Sequence, residues 1–351
     1  MAKGKLLLGL DIGSSAAKLC LLKENRGKYT IDVVDREAFP PDAIVDGSIL
    51  DRVGVANGLR NLIRRNKLKQ KQCAIAIAGY SVIVKRLRLS RMSDDELAEN
   101  IKWEVEQHIP YESKDVVYDT VVLGRNEAQN SMDILLVASK RDVVQDYIDV
   151  CKDAGFDVKI VDVASFALQN MMETVYSEAR PSECIGIINI GASVTSMTMM
   201  TDGVTSFTRD ITIGGNQITE EIQKKLGITR EEAENFKTGN VGDGHAVIPR
   251  EVEEITEQMS QKIADEIKRS LTFFYETSGR DRVNKLVLCG GVVKNSTTLK
   301  VLKKVINENI QVANPFENMG FNNKVYSSSR LSDLALESAI SLGLALRRDI
   351  E

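Results

Sequence analysis

The chain has few of the residues that build metal centres and disulfide frameworks. Its 351 residues include two histidines, one tryptophan and five cysteines. His108 and His245 alone cannot form a multi-histidine metal site. The cysteines are odd in number and scattered, with no Cys-x-x-Cys pair, so we expect reduced core thiols rather than disulfides or a zinc site. This cysteine usage favours the cytoplasm.

Long apolar runs and a surplus of positive charge are also missing. No stretch approaches the ~20 apolar residues that a membrane span needs. Asp11 interrupts the first apolar run too early for a signal peptide. Lys and Arg number 46 against 50 Asp and Glu, a net charge of −4. Because phosphate backbones require clustered positive charge, we expect no nucleic-acid partner.

The length and the pattern of elements favour two α/β domains. Hydrophobic residues make up 43% and charged residues 27%, which is typical of a globular protein. Strand and helix patterns mix along the chain, so a mixed α/β fold is predicted. The first domain is predicted at 1–183 together with a closing helix in 333–351. The second is predicted at 184–332, with a helical subdomain at about 217–282.

An inserted subdomain is predicted inside the first domain, at about 82–160. A strand at 82–89 precedes a helix that opens with a capping box of Ser93 and Glu96 and ends before Pro110. Two strands, a helix and a further strand follow, so the order β-α-β-β-α-β resembles a split βαβ unit. Trp103 lies at helical spacing with its polar neighbours and is interpreted as a packing residue.

The second half of the chain repeats a strand, glycine turn and strand from the first. Residues 9–15 (GLDIGSS) match residues 187–193 (IINIGAS), an offset of 189 − 11 = 178 residues. Glycine turns let backbone N–H groups approach phosphate oxygens, and Asp11 at a strand end can hold hydrated Mg²⁺. Lys18 can neutralise phosphate charge if it turns inward. One such turn is more often an ordinary hairpin, but two copies and a third glycine pair at 290–291 indicate a phosphate site.

Two common nucleotide motifs are absent. Neither half contains Gly-x-Gly-x-x-Gly leading into a helix, and neither contains Gly-x-x-x-x-Gly-Lys-Ser/Thr. The dinucleotide-binding and P-loop classes are therefore excluded.

These segments resemble the superfamily of actin, heat-shock ATPases and sugar kinases. Residues 11–15 and 189–195 are similar to its two phosphate loops, and residues 288–293 to its adenosine segment. The resemblance implies an actin-like (ribonuclease H-like) two-domain fold with a nucleotide cleft, and ATP and Mg²⁺ as cofactors. It implies cleft contacts by Asp11 (also the Mg²⁺ ligand, through water), Gly13, Ser14, Ser15, Lys18, Asn189, Gly191, Ala192, Ser193, Gly215, Gly290 and Gly291.

A second set of segments resembles the bacterial cell-division protein FtsA. These are residues 213–219 and 232–237. By this likeness Glu234 and Lys237 would approach the adenosine. An exposed helix face is the alternative for both side chains.

The inserted subdomain resembles the PilM family of type IV pilus assembly proteins. The resemblance rests on residues 99–111 (ENIKWEVEQHIPY) and 115–119 (DVVYD), and it extends over nearly the whole chain. It implies a cytoplasmic scaffold at the inner face of the cytoplasmic membrane. The implied partners are the N-terminal cytoplasmic tail of PilN, bound between the insertion and the first domain, and other pilus-machine proteins. Self-association is left open.

Two departures from the superfamily bear on hydrolysis. Asn189 replaces an acidic residue in the second phosphate loop, so it offers no charge to Mg²⁺ and no base. Asp162 lies near the place where active relatives orient a water molecule, and a structural role is its alternative. We therefore expect ATP binding with slow or no turnover.

Two other functions use the same fold. A sugar or metabolite kinase would need a carboxylate base and an acceptor pocket, and no segment stands out as that pocket. An FtsA-like filament former usually ends in a membrane-binding amphipathic helix. Because the given sequence stops at Glu351 just after the closing helix, we expect membrane association through a partner.

Overall fold

The structure is a computed structural model that describes residues 4–176, 183–240 and 248–349, so His245 lies outside the described residues. The strands are β1 Lys5–Leu6, β2 Leu8–Ile12, β3 Ala16–Asn25, β4 Lys28–Ala38, β5 Ile44–Val45, β6 Ser48–Ile49, β7 Gln72–Ile77, β8 Val82–Ser90, β9 Val116–Asn126, β10 Ser131–Lys140, β11 Asp157–Val163, β12 Cys184–Ile190, β13 Thr195–Thr201, β14 Val204–Ile211, β15 Lys285–Cys289, β16 Ile310–Val312, β17 Gly320–Phe321 and β18 Arg348–Asp349.

The helices are α1 Arg52–Arg65, α2 Asp94–His108, α3 Arg141–Ala154, α4 Ala164–Val175, α5 Gly215–Leu226, α6 Arg230–Thr238, α7 Arg250–Ser278, α8 Ser296–Val305, α9 Ser328–Ala335 and α10 Ala339–Ala345. No helix within the described ranges combines the length and the apolar content that a bilayer crossing requires.

The first half of the chain builds a six-stranded mixed sheet, in the order β11-β7-β2-β3-β4-β17. One face packs against α1 and α3, whose apolar side chains share a core with Leu8, Leu10 and Ile75. The other face packs against α4 and α10. Because both faces of the central strands are covered, apolar residues are continuous along these strands and do not alternate with polar residues.

The second half builds a five-stranded sheet in the order β14-β13-β12-β15-β16. Helices α5, α7 and α8 cover one face around Ile188, Ile267 and Leu302. The opposite face contributes Ile187 and Met200 to the core that holds α4, α10 and the six-stranded sheet. The α4–α10 layer is thus shared by both sheets, and the two halves face each other across it.

The inserted region forms a separate three-stranded antiparallel sheet, in the order β8-β10-β9. Helix α2 covers one face of this sheet with Leu97, Ile101 and Val105. The predicted β-α-β-β-α-β order is confirmed, and so is the capping box of Ser93 and Glu96. The last two elements belong to the six-stranded layer, because β11 pairs in parallel with β7 and α3 contacts α1. The domain boundaries stay a prediction.

Three sequence-based expectations differ from the structure in detail. The closing helix, predicted from about residue 333, has helical backbone from residue 328 to 345 with a 3-10 turn at Leu336–Ser338. That turn forms where the Leu336 carbonyl accepts a hydrogen bond from the Gly290 N–H at 2.8 Å. Trp103 is 67% exposed, so its interpretation as a packing residue is wrong. The helices α4 and α8 were not predicted. The five cysteines are free and buried, as expected.

Candidate functional site

The first glycine turn connects β2 to β3 and places a lysine over its backbone. Asp11 and Lys18 face each other across the two strands, and Lys18 Nζ lies 3.3 Å from Asp11 Oδ2. The Gly13 N–H donates to the Ala16 carbonyl at 3.1 Å and closes the turn. A Cβ on Gly13 would lie 2.7 Å from Lys18 Nζ, so glycine is what leaves room for the ammonium group. The inward orientation on which a phosphate role for Lys18 depends is therefore present, and that role stays a prediction.

The second turn, between β12 and β13, reproduces the first with the same offset. The Gly191 N–H donates to the Val194 carbonyl at 2.9 Å, and 191 − 13 and 194 − 16 both equal 178. Asn189 pairs with Ser196 across the strands, at the positions that Asp11 and Lys18 occupy in the first turn. The repeat seen in the sequence is therefore also a repeat of hydrogen bonding.

The second glycine turn is hydrogen-bonded to the N-terminal residues of α5. The N–H of Gly215 donates to the Gly191 carbonyl at 3.0 Å, and the N–H of Asn216 to the Ala192 carbonyl at 2.7 Å. The Asn216 side chain donates to Ser193 Oγ at 3.0 Å. These bonds fix Gly191, Ala192 and Ser193 relative to the helix. In the first glycine turn, between β2 and β3, Ser15 is exposed and Ser14 is half-buried, so both residues face accessible space.

The glycine pair at residues 290–291 lies against the end of β12, the strand that leads into the second glycine turn. Gly290 has φ +96°, and a Cβ there would lie 2.3 Å from the Ile190 carbonyl oxygen. Only glycine satisfies both the left-handed backbone and this close approach. Gly291 faces Glu337 of the 3-10 turn in the closing segment, which a Cβ on Gly291 would contact at 3.5 Å. The glycine pair therefore joins the second half of the chain to the closing segment.

Glu337 is a residue of this site that the sequence did not reveal. Its carboxylate pairs with Arg36 Nε at 2.8 Å and with Lys294 Nζ at 2.6 Å. Burial disfavours its charged form, but Arg36, Lys294 and Lys18 outweigh that effect and lower the pKa of Glu337. Arg36 comes from the first half and Lys294 from the second, so one carboxylate links both halves beneath the turns. Its partners are far away in sequence, and no local pattern marks them.

Lys237 and Glu234 form a compact cluster beside Gly215. Lys237 Nζ lies 2.6 Å from Glu234 Oε2 and donates to Thr219 Oγ1 at 2.8 Å and to the Gly215 carbonyl at 3.1 Å. Burial lowers the pKa of Lys237, and the Glu234 carboxylate offsets part of that effect. The exposed-face alternative is wrong for Lys237, whose side chain is 12% exposed, whereas Glu234 is 47% exposed.

Asn189 has a partner that limits what its side chain can bind. Cys289 Sγ lies 3.6 Å from Asn189 Oδ1 and can donate its weak S–H bond to that oxygen. Burial raises the pKa of Cys289 to about 12, so the thiol stays protonated. The second turn thus presents a neutral amide where the first presents the Asp11 carboxylate.

Asp162 lies on β11 with both carboxylate oxygens engaged. Its Oδ2 accepts from Arg347 Nε at 2.6 Å and its Oδ1 from the Val163 N–H at 2.8 Å. Arg347 follows the closing helix, so this pair fastens the end of that helix to the six-stranded sheet. This geometry favours the structural alternative for Asp162, and its catalytic role stays a prediction.

Polar contacts also cross between the halves away from the turns. The Gly79 N–H, after β7, donates to Asp210 Oδ2 of β14 at 2.8 Å. Arg230 of α6 lies 3.8 Å from Asp42 of the first half. With Glu337, these contacts hold the two halves in the arrangement described.

The charges around the turns suit a phosphate-bearing ligand. Lys18, Arg36 and Lys294 carry positive charge at the junction, against the carboxylates of Asp11 and Glu337. Backbone turns, serine hydroxyls and a surplus of positive charge bind phosphate oxygens. One carboxylate, on Asp11, faces this junction from a strand end and is of the type that Mg²⁺ prefers.

Two sheets that share one helical layer, each carrying a matched glycine turn, define an actin-like fold. Solved structures agree: MreB5 of Spiroplasma citri bound to ADP has a TM-score of 0.53 at 14% identity, over 96% of this chain and 94% of that one. The predicted fold class is confirmed.

The family follows from the comparison of sequences. The family model of type IV pilus assembly protein PilM matches residues 9–349, and the chain belongs to this family. A chain from a PilM-PilN type IV pilus biogenesis complex has a TM-score of 0.85 at 23% identity, covering 98% of both chains. Cell division protein FtsA of Streptococcus pneumoniae is 22% identical over 330 residues, which are 84% of this chain and 70% of that protein. The resemblances to PilM and FtsA are confirmed.

Proposed function

We propose that this chain is an actin-like scaffold of the type IV pilus that binds ATP in the cleft between its halves and holds the N-terminal cytoplasmic tail of PilN. The observation that carries the proposal is the pair of turns with a 178-residue offset, in a chain whose residues 9–349 match the PilM family. PilN is the partner in the similar complex, and ADP is bound in the similar MreB5. Such a scaffold acts at the inner face of the cytoplasmic membrane and reaches it through PilN.

The residues at the junction fit a magnesium nucleotide. Gly13 leaves a cradle that a Cβ would fill, and Lys18 lies over it. We expect Lys18 and the two turns to hold the phosphates, Asp11 to hold hydrated Mg²⁺, and the Glu234–Lys237 cluster with Gly290 and Gly291 to border the nucleoside. Bound Mg²⁺ would supply charge neutralisation at the phosphates.

Slow or absent turnover is part of the proposal. Hydrolysis needs an oriented water molecule as well as bound metal, and neither Asp162 nor Asn189 is suited to supply these. Asn189 is neutral and Asp162 is held by Arg347. We expect an assay of released phosphate to show at most a few turnovers per hour, unchanged in Asp162→Asn. A wild-type turnover that Asp162→Asn abolishes, with the protein still folded, would contradict the structural role.

The three-stranded sheet offers a surface for an extended tail. Its face opposite α2 carries Val84, Leu135 and Val137, all half-buried, and within the described residues one edge of β8 and one of β9 are unpaired. Ser139 lies on this face near the first domain, with its hydroxyl buried and without a hydrogen-bond partner among the described residues. An extended peptide binds such a surface by adding a strand and filling apolar pockets.

Fluorescence anisotropy of a labelled PilN tail peptide from the same genome tests the partner. We expect saturable binding that Leu135→Glu weakens at least tenfold, because the carboxylate would replace apolar surface next to Val137 and face Arg86 across the strands. Val204→Glu is the matched control, since Val204 is 45% exposed in the hairpin of the second half. No binding by the wild type would contradict the PilN proposal. Binding unaffected by Leu135→Glu would contradict the surface.

A further inference from the structure

The outer face of α2 presents an exposed aromatic side chain with no cover among the described residues. The inner face of this helix packs against the three-stranded sheet through Leu97, Ile101 and Val105. On the opposite face Trp103, the only tryptophan in the chain, is 67% exposed. Leaving this much apolar surface in water costs free energy, and tryptophan is among the residues enriched at the centres of protein interfaces.

Helix α2 as a whole is strongly acidic. Helix α2 contains six carboxylates (Asp94, Asp95, Glu96, Glu99, Glu104 and Glu106) and one lysine, Lys102, a net charge of 1 − 6 = −5 with His108 neutral. Glu99 and Glu106 are exposed and lie one helical turn before and after Trp103. In the described part of the chain neither Glu99 nor Asp95 forms an ion pair. Glu106 accepts a hydrogen bond from Ser113 Oγ at 2.6 Å, and Lys102 is the one cation of this face, so Glu99 and Asp95 carry its unpaired negative charge.

A cavity adjoins this face at the end of α2. It has a volume of about 710 Å³ and is lined by Lys102 and Glu106 of the helix and by the segment from Ile109 to Lys114. Within that segment, the Tyr111 ring has Lys140 Nζ at 4.8 Å from its centre. Pro110 and Tyr111 give this open cavity some apolar surface, and Lys102, Glu106, Glu112 and Lys114 make the rest of its lining charged. It can take an apolar side chain next to a charged one.

We propose that the outer face of α2, defined by Trp103, Glu99, Glu106 and the adjoining cavity, is a docking surface for an arginine-bearing basic segment of a second partner. A guanidinium group stacks on an indole ring and forms bidentate bonds with carboxylates. Carboxylates on both sides of Trp103 would hold such a group from two directions. An apolar side chain next to the arginine would enter the cavity.

This surface differs from the one proposed for the PilN tail. Helix α2 lies on one face of the three-stranded sheet, and Val84, Leu135 and Val137 lie on the other. The inserted region can therefore hold two partners at once. Binding to the outer face does not depend on the PilN proposal.

Because the chain has a single tryptophan, its fluorescence can report binding to the outer face of α2 directly. The probe is a synthetic peptide of alternating arginine and leucine, titrated into the full chain while the fluorescence of Trp103 is recorded. We expect a saturable change of intensity that a glutamate–leucine peptide of equal length does not produce. We expect Glu99→Gln combined with Glu106→Gln to weaken binding at least tenfold, with higher salt weakening wild-type binding.

Two controls separate docking from general attraction of a cation to an acidic protein. Glu253→Gln combined with Glu257→Gln removes two exposed carboxylates one turn apart on α7 and should leave the affinity within twofold of wild type. Trp103→Leu, followed by anisotropy of the labelled peptide, should weaken binding at least tenfold. No saturable change, equal losses in the α2 and α7 variants, or full binding by Trp103→Leu would overturn the proposal. Binding of the PilN tail should be unchanged in all of these variants.

Discussion

At the scale of single residues, Asp35 shows how a buried carboxylate is kept charged. It is 6% exposed on β4 and accepts from Arg65 Nε and Asn66 Nδ2, each at 2.7 Å. Burial opposes its ionisation, but the bonds from Arg65, Asn66 and the Arg36 N–H outweigh burial and lower the pKa of Asp35. A carboxylate with a lowered pKa stabilises the folded state above its unfolded pKa of about 3.9, and this stabilisation is lost as the pH falls through the folded pKa.

We expect Asp35→Asn to lower the free energy of unfolding at pH 7 by about 1.5–3 kcal/mol, the range for hydrogen bonds to charged groups. The gap between wild type and variant should begin to shrink below about pH 4, where the unfolded carboxyl takes up a proton, and should be lost as the pH falls through the lowered folded pKa of Asp35. Urea unfolding at several pH values measures both effects. Asp32→Asn, whose exposed partner is Lys23, should change the free energy by less than about 0.5 kcal/mol. A gap for Asp35→Asn that stays constant down to acid pH would refute the assignment.

Sequence reasoning located features that depend on local pattern and missed contacts that depend on distant partners. The turns at Gly13 and Gly191 were located because strand ends and glycine turns are visible within a few residues, and the roles of Asp11 and Asn189 stay predictions. The partner of Asp162, Arg347, is 185 residues away. Helical spacing placed Trp103 on a helix face but could not show whether another element covers that face.

At the scale of elements, the contact of α4 with α10 depends on one glycine. A Cβ on Gly343 would lie 1.7 Å from the Ala167 carbonyl oxygen. Helix propensity alone predicts that Gly343→Ala stabilises α10 by about 1 kcal/mol. Packing predicts the opposite, because the two helices would have to separate. The layer shared by both sheets would be strained.

We expect Gly343→Ala to destabilise the protein by about 3 kcal/mol or more, as in overpacked cores. Scanning calorimetry measures this as a lower Tm. Gly124→Ala is the control, since a Cβ there would have no atom within 4 Å, and it should leave the Tm within about 1 °C. An unchanged or raised Tm for Gly343→Ala would show that the helices can adjust.

The helix α2 was predicted because its capping residues define it locally. Ser93 with Glu96 caps α2, as the sequence indicated. The division of the inserted region between two sheets was not predicted, since strand order depends on long-range pairing. The 3-10 turn at Leu336–Ser338 depends on Gly290, which no local pattern relates to it.

At the scale of the whole molecule, Glu337 joins the first half, the second half and the closing segment. Its side chain is 14% exposed, and Arg36 and Lys294 reach it from the two halves. We expect Glu337→Gln to cost about 2–4 kcal/mol, because the two cations lose a partly buried partner. Calorimetry should show a lower Tm and a broader transition, as the halves unfold less cooperatively. Glu317→Gln, at an exposed position, should leave the transition unchanged. A transition equally sharp in Glu337→Gln would argue against this link.

The two-domain arrangement could be predicted from the repeat of 178 residues, and the turns have matching hydrogen bonds. The contacts between the first and second halves of the chain could not be predicted, since they depend on Glu337, Gly290 and the shared α4–α10 layer. For the same reason, the sequence predicted phosphate loops at the turns without showing that Arg36 and Lys294 meet at Glu337.

A calorimetric titration with Mg·ATP, run on the wild type and on Asp11→Ala, tests the central claim most directly. The account predicts micromolar binding by the wild type that Asp11→Ala loses while keeping a cooperative thermal transition. Asp32→Ala, a carboxylate on the same sheet paired with Lys23, should bind like the wild type. No binding by the wild type, or equal binding by Asp11→Ala, would contradict a nucleotide site at the paired turns.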